Sequence, residues 1–312
     1  MKEKCAQFII GFVLFSLPSG VILSQSSTDS IQNNRLKWTI ACLGIGYGAS
    51  TYLLDKAWYQ DFPRSSFHFF DDSKEWEQMD KAGHIFSTHF QSIYAYNLYK
   101  WSGLNDKKSI IYGAATSLLF QSTIEVLDGF SEEWGFSVYD FGTNLIGASL
   151  FAWQQSEWKE QRILVKMSSS SPDYSSPVLL ERRDDLFGSS APTRFLKDYN
   201  AQTYWLSFNL NSLLKKDNTP KWLNVALGYG AENMYGGFDN SWLIENGIDQ
   251  IVDQDLRRHR QFYLAPDIDL TKIPTKSKFL KALLGALNIF KIPLPSLEIN
   301  TLGEVDFHYF KF

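Results

Sequence analysis

The hydrophobic period of this chain changes once, near Ser156, and that change limits what the chain can fold into. From Leu36 to Trp153 the pattern of apolar residues is helical. Beyond Ser156 it alternates. Ile163, Val165 and Met167 interleave with Arg162, Leu164 and Lys166. Tyr204, Leu206, Phe208 and Leu210 interleave with Trp205, Ser207, Asn209 and Asn211, and Leu223, Val225, Leu227 and Tyr229 with Asn224, Ala226, Gly228 and Gly230. A helix repeats every ~3.6 residues and a strand every ~2, so the two patterns belong to different elements. The expectation is an α+β chain: an N-terminal bundle of about four helices, then an antiparallel β-sheet or partial, barrel-like half.

In the helical half, Leu36–Leu54 carries one charge, Lys37, with Gly44, Gly46 and Gly48 spaced along it. It is long enough to cross a bilayer and equally suits a fully buried core helix. Helical segments follow at Met79–Tyr99, Lys107–Leu127 and Val138–Trp153. The short polar connections between them imply antiparallel neighbours. Each carries His, Glu, Asp, Gln or Asn, which weighs against simple lipid-facing spans and turns the polar faces inward onto one another.

In the second half, Phe262–Leu270 and Leu297–Phe312 also read as extended, and Val178–Leu186 and Trp242–Val252 offer further strands. Phe279–Phe290 reads as an inserted helix. One apolar and one small or polar face suits a transmembrane barrel wall and a half-buried soluble sheet alike. The terminal Phe312 resembles the closing strand of bacterial outer-membrane barrels.

Lys2 and Lys4, the apolar run Phe8–Leu23 and the polar turn at Ser24 read as a signal peptide over residues 1–24, with cleavage after Ser24. Residues 25–35 then form a flexible leader, 36–155 the helical domain and 156–312 the β-rich region. Cleavage removes Cys5 and leaves Cys42 alone, so no internal disulfide framework is possible. A formal net charge of -4 gives no basic surface for nucleic acid. Aromatic residues make up 16% of the chain, a usage that suits a membrane interface or a large aromatic core.

Three polar spacings stand out in the apolar helical half: Asp80 with His84, Glu125 with Asp128, and Asp140 with Asn144. Residues three or four apart share a helix face, and buried carboxylates need a proton, a partner or a cation. His84, Asp80, Glu125 and Asp128 are candidate catalytic groups, able to bind a divalent metal, activate water or exchange protons. Asp140 and Asn144 are candidates for a structural polar network or for helix capping. His89, Gln91, Gln121 and Lys81 can join the cluster, and Ser87, Thr88 and Ser131 are nearby hydroxyls. A hydrogen-bonded network fixing helix register would use the same residues. The spacings match no established metal or nucleophile motif, so the cofactor and any metal stay unnamed.

Asp80-Lys81-Ala82-Gly83-His84 and the run from Glu125 to Ser137, followed by Asp140 and Asn144, resemble the YfiM-like family of predicted envelope lipoproteins, a domain of unknown function. The resemblance covers Leu36–Gln155. The Asp-Lys-x-x-His and Asp-x-x-x-Asn-x-x-Gly elements are similar, more weakly, to VanZ-like membrane proteins. The chain departs from a lipoprotein pattern because no Cys follows the signal region; Cys42, after Thr39-Ile40-Ala41, lies too far along. The resemblance supplies no settled reaction; the signal peptide, the aromatic alternating strands and the terminal Phe312 lead to the expectation of an envelope protein, structural or lipid-associated at the outer membrane, whose partner is a membrane lipid or another envelope protein. The alternative is a membrane-associated hydrolase or transferase using the His/carboxylate centre. Inner-membrane and periplasmic locations remain open alternatives.

Overall fold

The computed structural model describes residues 28–59, 62–172, 174, 176–214, 219–243, 249–251 and 256–311. The signal peptide and Phe312 lie outside them. The chain is α+β and divides into two compact units: a helical unit from the described residues of Gln7–Asp71 and His84–Gln161, and a sheet unit from those of Asp72–Gly83 and Arg162–Phe312.

Four helices build the first unit: α1 (Thr28–Leu54), α2 (Met79–Trp101, which belongs to this unit from His84 onward), α3 (Asp106–Asp128) and α4 (Val138–Glu157). Helix α1 begins inside the stretch expected to be a leader. Asn105 caps α3 by accepting from Lys108 N, and Ser137 caps α4 by accepting from Asp140 N. Gly103, at φ +96°, lets the chain leave α2 tightly enough to start α3 within a few residues. The hydroxyls of Ser92 and Ser117 lie 2.6 Å apart and the rings of Tyr99 and Tyr112 meet edge to face, so α2 and α3 run antiparallel. Tyr96 of α2 meets Phe151 and Gln155 of α4, while Thr88 meets Asn144, so those two run parallel. Tyr47 of α1 bonds Thr123 of α3 at 2.8 Å.

Helix α1 is not the fully buried core helix that its composition allowed: Trp38, Ile40, Ile45 and Tyr52 are all exposed. Among the described residues, Asp106–Asp128 is the helix long and apolar enough to cross a membrane by length and composition.

The sheet unit holds six antiparallel strands in the order β1-β2-β3-β6-β7-β8: β1 (Ile163–Ser169), β2 (Gln202–Asn209), β3 (Leu223–Glu232), β6 (His259–Ile268), β7 (Leu294–Asn300) and β8 (Val305–Lys311). A separate small pair joins β4 (Ser241–Leu243) to β5 (Asp249–Ile251). Three short helices, α5 (Pro177–Phe187), α6 (Ala191–Lys197) and α7 (Leu210–Leu214), flank the early strands, and α8 (Lys278–Leu287) precedes β7. Val178–Leu186, expected as a strand, is helix α5. Ser176 caps it by accepting from Leu179 N, and Pro177 sits in the first turn with its φ already fixed for a helix. Leu297–Phe312 resolves into two strands joined by a turn at Gly303 rather than one.

The alternation is inverted relative to a soluble sheet. The polar and small positions are buried, with Trp205 alongside them: Thr203, Ser207 and Asn209 on β2, and Asn224, Ala226, Gly228 and Gly230 on β3. The apolar positions Leu206, Leu227, Phe262, Leu264, Leu297, Ile299 and Phe307 are exposed. Inside, Lys166 Nζ lies 2.9 Å from Asp267 and donates to Ile268 O at 2.7 Å. Ser207 donates to Asp267, Asn224 to Ser207 and Asn209 to Asn224. Gly228 makes room for the Trp205 ring, which a Cβ there would meet at 2.7 Å. Lys291 stacks 4.5 Å over the same ring.

A left-handed turn precedes α2. Trp76, Glu77 and Gln78 all have positive φ, between 47° and 62°, without a glycine among them. Such residues cost ~1–2 kcal/mol each and need outside support. Trp76 N donates to Gly237 O, the Tyr229 hydroxyl donates to Glu77 O, and Arg258 and Arg260 pair with the Glu77 carboxylate.

Replacing Lys166 by Met leaves Asp267 buried without its ion pair and should destabilise the chain by ~3–5 kcal/mol, read as a lower denaturation midpoint. Pairing that change with Asp267→Leu should recover most of the loss.

Candidate functional site

The polar centre of the helical unit forms where α2, α3 and α4 approach closely. Gly147 of α4 sits against α2, where a Cβ would meet Ile85 O at 2.5 Å; Gly113 of α3 sits against Ser92 and Tyr96. Small residues at these points bring polar side chains of three helices within reach of each other.

His84 lies at the middle. Its Nδ1 is 3.1 Å from Asn144 Oδ1, which also accepts from the Thr88 hydroxyl at 2.8 Å. A carbonyl oxygen only accepts, so this arrangement puts the proton on Nδ1 and turns Nε2 toward two carboxylates. Nε2 is 3.6 Å from Glu125 Oε1 and 3.9 Å from Asp140 Oδ1. Glu125 is 1% exposed, Asp140 4% and Asn144 0%, so the pair of carboxylates sits out of bulk water. A nitrogen held between two buried carboxylates can act as a base, carry a second proton or accept a Lewis acid.

The structure thus brings together four of the residues singled out in the sequence: His84, Glu125, Asp140 and Asn144. Asn144 orients the imidazole directly, and Asp140 takes the third position of α4 with its N–H on the Ser137 cap. Asp128 is engaged differently, accepting from the Tyr59 hydroxyl at 2.5 Å. Burial first, then the neighbouring Asp128, pushes the Tyr59 phenol well above its usual range, so it stays a donor. Asp80, one turn before His84 on α2, accepts from Tyr199 at 2.8 Å and from Lys81 at 3.2 Å; Lys81 also pairs with Asp72 at 2.6 Å. Ser131 caps a loop by accepting from Glu133 N. Tyr59 carried no spacing signal in the sequence. Thr88 stood out only as a hydroxyl near the cluster.

The loop after α3 closes this end of the unit. His68 N donates to Gly129 O, Phe136 N to His68 O and Phe70 N to Phe136 O. Phe67 packs on Phe69, Phe130 and Phe136. Gly129 and Gly135 are required there, since a Cβ would meet the Phe67 ring at 2.4 Å and Phe70 Cβ at 2.6 Å.

These are the helices and loop that carry a family signature. Residues 68–155 match the family model described as a predicted periplasmic lipoprotein (DUF2279). The match holds all four residues of the centre and most of the aromatic loop, and it leaves Phe67, α1 and all of β1–β8 outside. It agrees with the expected envelope lipoprotein family of unknown activity. No curated protein and no solved structure matches the chain.

His89, one turn beyond Ile85 on α2, is fully buried; burial lowers its pKa to about 4 against a smaller opposing effect of Gln161. The unfolded chain therefore binds this proton at a higher pH than the folded one. Stability should fall as pH drops from about 6.5 to about 4, by at most ~3 kcal/mol. Thermal unfolding across that window should show the slope, and His89→Gln should flatten it. Gly147→Ala should cost ~1–3 kcal/mol through the clash with Ile85 O, whereas Gly142→Ala, which meets nothing within 4 Å, should be neutral or slightly stabilising by the same measurement.

Proposed function

We propose that this is a cell-envelope protein that works against the outer membrane, its sheet laid on lipid. The observation that carries the reading is the outward face of the sheet. Leu206 pairs with Leu227, Leu227 with Leu264, Leu264 with Leu297 and Leu297 with Phe307, forming one apolar row across five strands. At ~4.8 Å per strand the row runs about 20 Å. Tyr229, Phe262, Ile299 and Val305 make a second row beside it. In water such a patch favours aggregation, whereas hydrocarbon matches it, and the polar side chains of the sheet already lie inside.

Helix α8 supports the same reading. Phe279, Leu280 and Leu287 are exposed, and Lys276, Lys278 and Lys281 lie around them, the make-up of a helix that rests in a lipid headgroup layer. The envelope description of the matched family and the resemblance to YfiM-like and VanZ-like proteins fit this location.

A membrane-associated hydrolase or transferase is a second reading, favoured by the orientation of His84 toward Glu125 and Asp140. In it His84 is the base or a metal ligand, and Asn144 holds the imidazole in place.

The purified chain should float with phospholipid vesicles in a density gradient. Leu227→Asp with Leu264→Asp puts two charges on already exposed positions and should leave the protein at the bottom, with its circular dichroism unchanged. A folded double variant that still floats, or a native protein found freely soluble in the periplasm, would count decisively against the sheet as the lipid-contacting face.

A further inference from the structure

Between Asp269 and Glu298 the chain carries no acidic residue, yet it holds Lys272, Lys276, Lys278, Lys281 and Lys291. In a protein of net charge -4 this is a local reversal of sign. Two of these lysines are engaged elsewhere: Lys272 donates to Ser212 at 3.0 Å, and Lys291 is buried over the Trp205 ring. Lys276, Lys278 and Lys281 are exposed around the start of α8. Both carboxylates that bound the segment are buried and committed. Asp269 accepts from Thr271 and Asn288, and Glu298 bonds His308.

The other side of α8 is apolar and uncovered. At ~100° per residue, Phe279, Leu283 and Leu287 share one side, with Leu280 and Leu284 beside them and Lys278, Lys281 and Gly285 opposite. Phe279 is 70% exposed, Leu280 and Leu287 are exposed as well, and Leu283 and Leu284 are only half-buried. The helix is held in place at both ends. Ser277 caps its start by accepting from Leu280 N, while Asn288, just past its end, accepts from Leu270 N at 2.8 Å and donates to Asp269 at 3.1 Å. A face formed in advance saves the ordering cost that a loose segment meets on docking.

Charge decides what covers this face. A second copy of α8 would bring the same lysines beside the first set, and like charges oppose that pairing. A bilayer with anionic headgroups meets both sides at once, hydrocarbon for Phe279 and the leucines, negative charge for the lysines. We propose that α8 is the element by which the sheet unit selects anionic phospholipid. It lies in the headgroup layer with Phe279, Leu283 and Leu287 toward the acyl chains and Lys276, Lys278 and Lys281 among the headgroups. The inference rests on the proposed lipid-surface location and adds a headgroup preference, which the uncharged rows of the sheet do not supply. Each lysine near such a surface strengthens binding roughly fivefold at moderate salt.

The test titrates the full chain with vesicles of phosphatidylcholine alone and of phosphatidylcholine mixed two to one with phosphatidylglycerol. Affinity for the anionic vesicles should be at least tenfold higher, and the excess should shrink as added salt screens it. Lys276→Gln, Lys278→Gln and Lys281→Gln combined should remove the excess, leaving neutral binding and circular dichroism unchanged. Phe279→Ser with Leu280→Ser, both at exposed positions, should weaken binding to the anionic vesicles. A parent chain that binds the two vesicles equally, or a folded triple lysine variant that keeps the preference, overturns the inference. A parent that shows no lipid preference and whose gel-filtration size falls on Phe279→Ser would give the face to a second copy and overturn it too. The sheet is scored separately, by Leu227→Asp with Leu264→Asp on neutral vesicles: flotation that survives there counts against the sheet, while the lysine-dependent excess alone scores α8.

Discussion

A lysine and an aspartate, neither of them exposed to solvent, face each other 2.9 Å apart on the inner side of the sheet. Ions of that kind are several kcal/mol less stable in a protein interior than in water unless paired and fully bonded. Lys166 therefore draws in Ile268 O, and Asp267 draws in Ser207, which holds Asn224 and through it Asn209. This chain of bonds occupies the inward positions of β1, β2, β3 and β6. Since side chains alternate along a strand, placing these groups inside forces Leu206, Leu227 and Leu264 outside. The exposed apolar rows are the geometric consequence of the interior network.

The helical unit follows the same logic in another geometry. His84, His89, Ser92, Ser117, Glu125 and Asn144 face inward, while Ile111, Leu119, Leu145 and Ile146 are exposed. What differs is how the polar groups are satisfied. Serines and threonines return their hydroxyls to backbone carbonyls one turn back, as Thr88 and Ser92 do. The imidazole and carboxylates of the centre reach farther and meet side chains of the other helices. They are brought together instead by Gly113 and Gly147, which remove the side chains that would hold the helices apart.

Much of this was legible from residue order. The change of period separated helices from strands, and the i, i+4 spacing of Asp140 and Asn144 put both on the buried face of α4. What alternation cannot say is which of two faces is covered. Trp205 with Ser207 and Leu206 with Phe208 are equally regular, and only the partners of Asp267 decide between them. Val178–Leu186 misled because its apolar residues are sparse, although Ser176-Pro177 is a helix-start signal. Asp128 shares a helix face with Glu125 yet bonds Tyr59, from a segment some seventy residues earlier, which no local spacing could reveal. The left-handed turn at Trp76–Gln78 was hidden for a plainer reason: positive φ is ordinarily advertised by glycine, and none is present.

That turn has a consequence for how the protein must be made. It stands inside the family-matched stretch, immediately ahead of the helix that carries His84, yet the groups that hold it come from Tyr229, Gly237, Arg258 and Arg260. Those residues are synthesised at least 150 positions later. A nascent chain emerging from the N-terminus has nothing to clamp the turn, and contacts of such long range form late. The turn can settle only after β3 and β6 have paired, because the groups that hold it lie on or beside those strands. Excised at the bounds of the match, residues 68–155 would keep the polar centre but lose Phe67 from the aromatic loop and the groups that hold the turn ahead of α2.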